Sequence, residues 1–482
     1  MKVRWHADWM GLRPSTTRIP FRYGKACLVH CPQLLVQVSV EIDGRSAEGF
    51  AGDCLPPGWF DKTPGKSYLQ QLEEMLATIK AARDRYVEAF AAGEDFFPGW
   101  LRLQQEIDAW CGELEIVPLL ASFGLSLWER AVLDAACRAH DMCFADAVRG
   151  NLFAIDPGAA HPQLAGTTPA DWLPPEPLQR IAVRHTVGMG DPLEWEDVTP
   201  SERLDDGRPQ TLRQYIRQSG IRYFKLKLGG QLDADLARLG RIVAVIEAEL
   251  SGEYGVTLDG NEQFDDWEQL TALLEAMEAD RRFSTLWNNT IAIEQPLPRS
   301  IALERPLDSI AARLAEKPVI IDESDGTLDA YPRAIALGYG GVSSKNCKGA
   351  LRSLLNAGLV QWAASEYPHR KQLMTGEDLC SVGVVPVQAD LCLAATLGLS
   401  HVERNGHHFH PGLSYLPPAS QQEALQAHPD FYIRIGDIVS PRLHDGEFSI
   451  ASLHCHGFGF DWRPRRDDWQ APQDFDWSVY RQ

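Results

Sequence analysis

The sequence predicts an α/β chain, a (β/α)8-type barrel with an α+β capping domain in front of it, and three observations carry that expectation. Five short apolar segments end in ionisable residues: Tyr223-Phe-Lys225-Leu-Lys227, Val256-Thr-Leu-Asp259, Ile291-Ala-Ile-Glu294, Val319-Ile-Ile-Asp322 and Val342-Ser-Ser-Lys345. From Lys227 onward their ends follow at intervals of 32, 35, 28 and 23 residues, about one strand, one helix and two loops each. Strand alternation sets Phe224, Leu226 and Leu228 on one face and Lys225 and Lys227 on the other, because successive side chains point to opposite sides. The same split opposes Val256 and Leu258 to Asp259, and Val319 and Ile321 to Asp322. With the apolar faces against the helices, the charges converge at one mouth of the barrel. The third observation is the order of the first 178 residues, strands and then helices, which suggests an α+β unit.

In that first unit, residues 1–178, Leu34 to Ile42 alternates as a strand, Asp43-Gly44 supplies a hairpin turn, and Arg45 to Gly52 returns. Helical periodicity follows in Tyr68 to Phe90, Trp100 to Leu114 and Leu127 to Val148. A proline-rich connection from Pro157 to Pro177 marks a boundary. Residues 179–410 then hold eight strand candidates: Arg180 to Val187, Arg222 to Leu228, Gly255 to Asp259, Ile291 to Glu294, Pro318 to Asp322, Gly341 to Lys345, Lys371 to Thr375 and His401 to Arg404. Helices are expected at Asp233 to Leu250, Asp265 to Ala279 with Asp265 as N-cap, and Val384 to Gly398. Residues 411–482 form a C-terminal segment with an aromatic, charged end.

The chain has 482 residues, 44% of them hydrophobic, so a large core and more than one domain are expected. A formal charge of −20 repels polyphosphates and argues against nucleic acid as a partner. No apolar run is long enough to span a bilayer, and Met-Lys-Val-Arg-Trp-His lacks the apolar core of a signal peptide. A soluble, cytoplasmic protein with no membrane partner is the expectation. The ten cysteines include no CxxC pair and read as buried small hydrophobes, with Cys347 and Cys380 the candidates for a catalytic thiol.

Three carboxylates at adjacent strand ends, Asp259, Glu294 and Asp322, are costly to bury together without a cation or a proton. They make an all-oxygen site suited to a hard divalent ion such as magnesium. Lysines on the flanking segments suit abstraction of a proton next to a substrate carboxylate, with the metal stabilising the enediolate.

The segments Lys225-Leu-Lys227, Asp259-Gly-Asn261-Glu262, Ile-Glu294-Gln-Pro296, Asp322-Glu323-Ser324 and Ser-Lys345 together resemble the barrel signature of the enolase superfamily, in its muconate-lactonizing-enzyme-like branch. The resemblance implies a modified TIM barrel, Mg2+ held by Asp259, Glu294 and Asp322, Lys227 and Lys345 as acid/base residues on opposite faces of the substrate, and Lys225 tuning Lys227. It further implies substrate contacts from Asn261 and Glu323, and a carboxylate after strand seven that is Glu377 or Asp378; a surface loop explains that last pair equally. The Arg18 to Arg22 segment and the Glu129 to Asp134 helix resemble the family's cap, whose loops, here near Pro14 to Tyr23 and Gly52 to Thr63, close over the mouth. By the same resemblance part of 411–482 returns to the cap, and the remainder is an extension that an oligomer contact would explain; a homo-oligomer is expected.

A small-molecule carboxylate is therefore the expected partner. Two lysines favour a racemase or epimerase; the alternative is a lyase, either a dehydratase or a cycloisomerase, acting on a substrate such as an acid sugar. The absence of histidine after strand seven argues against a His-Asp base, and Glu403-Arg404-Asn405 departs from the Asp-x-Asp motif of dipeptide epimerases. More remote readings are a Schiff-base barrel aldolase and a non-catalytic binding protein. His407, His408 and His410, or His454 and His456 around Cys455, are candidates for a transition metal, against the ordinary reading of loop histidines as polar surface.

Overall fold

The computed structural model describes residues 1–480 other than 24–25, 308–309, 311–313 and 315. Its first unit is an antiparallel sheet of β1 (Lys2–Arg13), β4 (Gln33–Ile42), β5 (Arg45–Cys54) and β6 (Glu94–Asp95) in the order β5-β4-β1-β6, with β2 (Thr16–Tyr23) and β3 (Ala26–His30) paired separately. Asp43 and Gly44 take φ values of 49° and 85°, the double left-handed turn that suits a two-residue hairpin. Behind the sheet lie the helices Tyr68–Phe90, Phe96–Glu113 and Pro118–Ala139. The last is buried along its whole length from Leu119 to Cys137, its charged residues Glu129, Arg130 and Asp134 included, each of them hydrogen-bonded. The single helix expected over Leu127 to Val148 is two: the chain breaks after Ala139, where Asp141 adopts φ 52°, and resumes at Phe144–Arg149.

The barrel strands are β7 (Arg180–Val187), β8 (Tyr223–Lys227), β9 (Gly255–Asp259), β10 (Thr290–Glu294), β11 (Val319–Ile320), β12 (Gly341–Ser344), β13 (Leu373–Gly376) and β14 (His401–Glu403). They pair in parallel in sequence order, β14 closes on β7, and a parallel bridge between Ile321 and Val342 joins β11 to β12. All eight expected strands are present, within two or three residues at the ends. Phe224, Leu226, Val256 and Leu258 are fully buried on the helix-facing side. The helix over 267–279 is capped by Asp266 rather than Asp265; the Asp266 carboxylate accepts from the Gln269 amide at 2.9 Å.

The C-terminal segment contacts both units. Gln470 exchanges backbone hydrogen bonds with Leu12 of β1, and the Asp134 carboxylate accepts from the Phe458 amide at 2.7 Å. Glu447–Ser449 adds an antiparallel strand beside the start of β7.

The two units meet at Glu129. The barrel helix Ala350–Glu366 begins at Gly349, which has no side chain to cap it, so the Glu129 carboxylate from the other unit accepts from the Leu351 amide at 2.9 Å and from Trp100 Nε1 at 2.7 Å. An anion at a helix N-terminus is favourable. Glu129→Ala leaves two buried donors unpaired and is expected to lower the unfolding free energy by about 2–4 kcal/mol. Glu129→Gln keeps an acceptor and should lose less; urea unfolding of the two variants checks the difference.

Candidate active site

The parity of the strands decides what reaches the mouth. On β8, Lys225 and Lys227 face inward while Phe224 and Leu226 pack outward, and the register pairs Lys227 with Asp259 and Asp259 with Glu294. In an eight-strand ring, the second strand (β8) and the sixth (β12) are diametrically opposite, so Lys227 and Lys345, which follows β12, stand across the mouth from each other. Asp259, Glu294 and Asp322, from the third, fourth and fifth strands, occupy the arc between them. Glu377 and Glu403, after and on the seventh and eighth, occupy the other arc.

Lys225 sits at the centre. Its ammonium lies 3.0 Å from Asp259, 2.8 Å from Glu294, 2.7 Å from Glu377 and 3.1 Å from Glu403. Burial alone lowers its pKa, but the four carboxylates raise it well above the usual lysine value. Lys227 is ion-paired to Asp259. Lys345 pairs with Asp322 at 2.6 Å and lies 4.0 Å from the Trp59 ring centroid, while Lys348 reaches the other Asp322 oxygen at 2.9 Å. For both Lys227 and Lys345, burial opposes the charge and the neighbouring aspartate outweighs it, so both pKa values are raised. Asp322 is held well below the carboxylate range because Lys345, Lys348 and Lys225 overcome its burial.

Glu294 behaves differently. Burial and its like-charged neighbours Asp259 and Glu377 push its carboxyl well up despite Lys225, and its Oε2 has no hydrogen-bond partner among the described residues. A buried carboxylate with an orphaned oxygen beside two more carboxylates fits a hard cation. The three carboxylates are ion-paired to lysines, however, Asp259 and Glu294 to Lys225 and Asp322 to Lys345 and Lys348. Among the described residues, the set of three whose ligand atoms all lie within 4.8 Å of one another is His185, His407 and His408.

The loop after β9 is strained. Asn261 and Glu262 both take left-handed φ, 44° and 66°, at a cost of roughly 1–3 kcal/mol each. Hydrogen bonds fix it: the Asn261 amide donates to Asp259 Oδ1 at 2.7 Å and its side-chain amide to Glu323 at 2.8 Å. Gly260 packs so closely that a Cβ there would lie 2.5 Å from Pro296 Cα. Asn261 and Glu323 therefore sit together at the mouth. Of the pair after strand seven, Glu377 binds Lys225 and Arg184 in the barrel interior, while Asp378 lines the cavity above, paired with Arg404. Burial pushes the Asp378 carboxyl up to about 6 against the pull of Arg404. Neither is a surface residue.

That cavity is small, about 40 Å³, and its walls include Phe21, Pro56, Trp59, Lys227, Lys345 and Asp378. Phe21 and Trp59 come from the two segments expected to close over the mouth. The roof is fastened from the barrel side: Arg299 donates to the Phe60 and Trp59 carbonyls at 2.7 and 3.2 Å and is paired with Glu262, which also binds Lys62.

Sequence reasoning missed Lys62, Arg184, Lys348 and the part played by Glu403. Glu403 carried the same signal as the others, an acidic residue ending a short apolar strand; Lys62 and Lys348 lie in loops and carried none. Cys347 and Cys380 are buried, and burial raises both thiols, which leaves them protonated and unsuited to nucleophilic work. His408 and His410 are buried and His407 is half-buried, contrary to the polar-surface reading.

Burial opposes ionisation of Glu262, but Arg299 and Lys62 hold its carboxyl down to about 2, from an ordinary 4.5. A depressed carboxyl stabilises the fold above the unfolded-state value and loses that contribution as the pH falls through the folded one. The Tm deficit of Glu262→Gln relative to wild type should be full above pH 4.5 and shrink as the pH falls toward 2, as measured by calorimetry across that window.

No family model matches the sequence, and no curated protein matches it. Solved structures do match. A muconate lactonizing enzyme from Pseudomonas fluorescens, complexed with muconolactone, superposes with a TM-score of 0.60 at 16% identity, over 96% of this chain and 98% of that one. A mandelate racemase/muconate lactonizing protein from Herpetosiphon aurantiacus gives 0.57 at 18% over 96% and 99%, and 2-chloromuconate cycloisomerase from Rhodococcus opacus 1CP gives 0.58 at 17% over 95% and 97%. The chain has the capped-barrel fold of the mandelate racemase and muconate lactonizing proteins.

Proposed function

We propose that the chain is a metal-dependent isomerase of the enolase superfamily that removes and returns the proton α to a carboxylate, as a racemase or epimerase. The observation that carries this reading is the placement of Lys227 and Lys345 on diametrically opposite strands, on either side of one small cavity. Asp259, Glu294 and Asp322 would hold Mg2+, which when bound supplies a positive counter-charge for the enediolate. An enolase from Bradyrhizobium with the same fold was solved with magnesium and mandelic acid, and the muconolactone complex also holds a small carboxylate.

The remaining roles fall to the chain's own residues. One lysine accepts the α-proton on its side of the substrate and the other delivers a proton on the far side, so configuration inverts. Lys225 keeps Glu294, Glu377 and Glu403 from repelling one another and tunes Lys227, its positive charge pulling the Lys227 pKa down. Trp59 and Phe21 exclude water, and Asn261 and Glu323 orient the substrate. In this division residues 1–178 select, residues 179–410 react, and residues 411–482 return to the cap and extend beyond it; the working unit is a homo-oligomer in the cytoplasm.

A lyase is the second reading, favoured by Asp378, whose carboxyl at about 6 lines the cavity and suits protonation of a leaving group. A Schiff-base aldolase is the more remote reading, because it gives no role to the buried, unpartnered Glu294 Oε2.

The test is α-proton exchange in D2O with Mg2+ over acid sugars, N-acyl amino acids and other small carboxylates. Lys227→Ala and Lys345→Ala should each abolish exchange from one stereoisomer, lowering racemisation by about a hundredfold to ten-thousandfold. Loss of water without inversion of recovered substrate indicates the lyase. Exchange that survives EDTA, or both lysine variants at full rate, rejects the two-base metal site. Mg2+ should also raise the Tm of the wild type and leave that of Glu294→Gln unchanged.

A further inference from the structure

We propose that His185, His407 and His408 form a second metal site, for a borderline divalent transition ion of the zinc type, with its open coordination position facing a cavity beside the barrel. The three side chains each offer a ligand atom, all within 4.8 Å of one another. They come from separate places: His185 from β7, His407 and His408 from the short helix Gly406–Phe409 after β14.

Strand parity makes His185 unusual. Arg184 and Thr186 point into the barrel, toward Glu377 and Glu403, so His185 points outward with Val183 and Val187, on the side where apolar residues pack. It is 4% exposed. An imidazole in such a place should have its nitrogens satisfied. Instead Nδ1 of His185 and Nδ1 of His408 have no partner among the described residues, and neither nitrogen of His407 makes a well-formed hydrogen bond. The contacts between the rings, tilted at 4.6 Å between the His185 and His408 centroids and edge-on at 4.8 Å between His407 and His408, do not supply those nitrogens with a conventional donor or acceptor. Burial lowers all three pKa values, which keeps the rings in the neutral form that binds metal.

The softness of the donors selects the ion. Three neutral imidazoles suit zinc, copper, nickel or cobalt far better than magnesium. Zinc-nitrogen bonds of about 2.0–2.1 Å in a tetrahedron require the ligand atoms to draw together by up to about 1.5 Å, within reach of side-chain rotation. Arg18, Arg208 and Arg404 lie close enough to oppose a cation. Arg18 is paired with Asp206, and Arg404 with Asp378 and Asp390, while Glu403 acts on His185 in the favourable direction. The adjoining cavity, about 300 Å³, is lined by His185, His408, Arg18 and Tyr215, with the buried Tyr215 hydroxyl beside Arg18. Three protein ligands with space at the fourth position make an open site.

The full chain, stripped by chelator and held in excess Mg2+ so that the carboxylates do not compete, is titrated with Co2+. One equivalent should develop the intense visible bands of tetrahedral cobalt, Zn2+ should bleach them, and azide should shift them through the open position. His407→Gln, at the half-exposed position, should remain folded by circular dichroism, lose the bands, and lose the Tm rise that Zn2+ gives the wild type. Wild type with only the weak bands of octahedral cobalt overturns the proposal without recourse to any variant. Tetrahedral bands of equal strength in wild type and in folded His407→Gln and His185→Gln also overturn it. Bands insensitive to azide overturn the open position. Retention of the site in Glu294→Gln separates it from the proposed magnesium site.

Discussion

Four carboxylates from Asp259, Glu294, Glu377 and Glu403 converge on the ammonium of Lys225, and one cation cannot neutralise four anions. The barrel interior answers by distributing charge around the ring: Arg184 takes part of Glu377, Lys227 part of Asp259, and Thr186 and Asn405 hydrogen-bond Glu403. Glu294 is left with the least compensation, and its carboxyl is driven up accordingly. Buried ion clusters of this kind contribute little to stability in themselves, because desolvation offsets the attraction. What they do is fix positions. Removing Lys225 would leave the surrounding carboxylates to repel one another, so the geometry of the mouth depends on that side chain more than on any single hydrophobic contact.

The barrel was legible in the sequence because its strands are short, apolar and closed by an ionisable residue, a pattern that a period of two and a β/α spacing expose together. Asp259, Glu294, Asp322, Lys227 and Lys345 could be singled out for that reason, and all five occupy one mouth. β1 was not visible: a register shift between Trp5 and Ala7 interrupts its alternation, so neither face reads as a continuous stripe. The break at Asp141 was hidden because apolar residues continue in helical phase on both sides of it. His185 escaped notice for a different reason. A histidine on a strand says nothing about which side of the wall it faces until the inward residues, Arg184 and Thr186, are placed.

Cap and barrel are tied at two kinds of junction. Glu129 serves a barrel helix that lacks its own cap, beneath the segment carrying Lys345 and Lys348, so the cap's central helix helps to hold one side of the mouth. On the outer side, Arg299 and Glu262 hold the backbone around Trp59. The first junction is buried. The second includes Lys62, which is partly exposed.

The small chamber over the lysines has a kinetic consequence. At about 40 Å³ it falls far short of the several hundred cubic ångströms that small-molecule pockets usually offer, so on the proposed function the Trp59 roof would have to lift to admit a substrate. The Arg299 and Lys62 contacts resist that motion, and gating steps of this sort often set the turnover of well-evolved enzymes. Under such gating, deuterium at the α-carbon would slow a single enclosed proton transfer without slowing steady-state turnover to the same extent. The ratio of the two isotope effects is then a measure of how tightly the cap is latched.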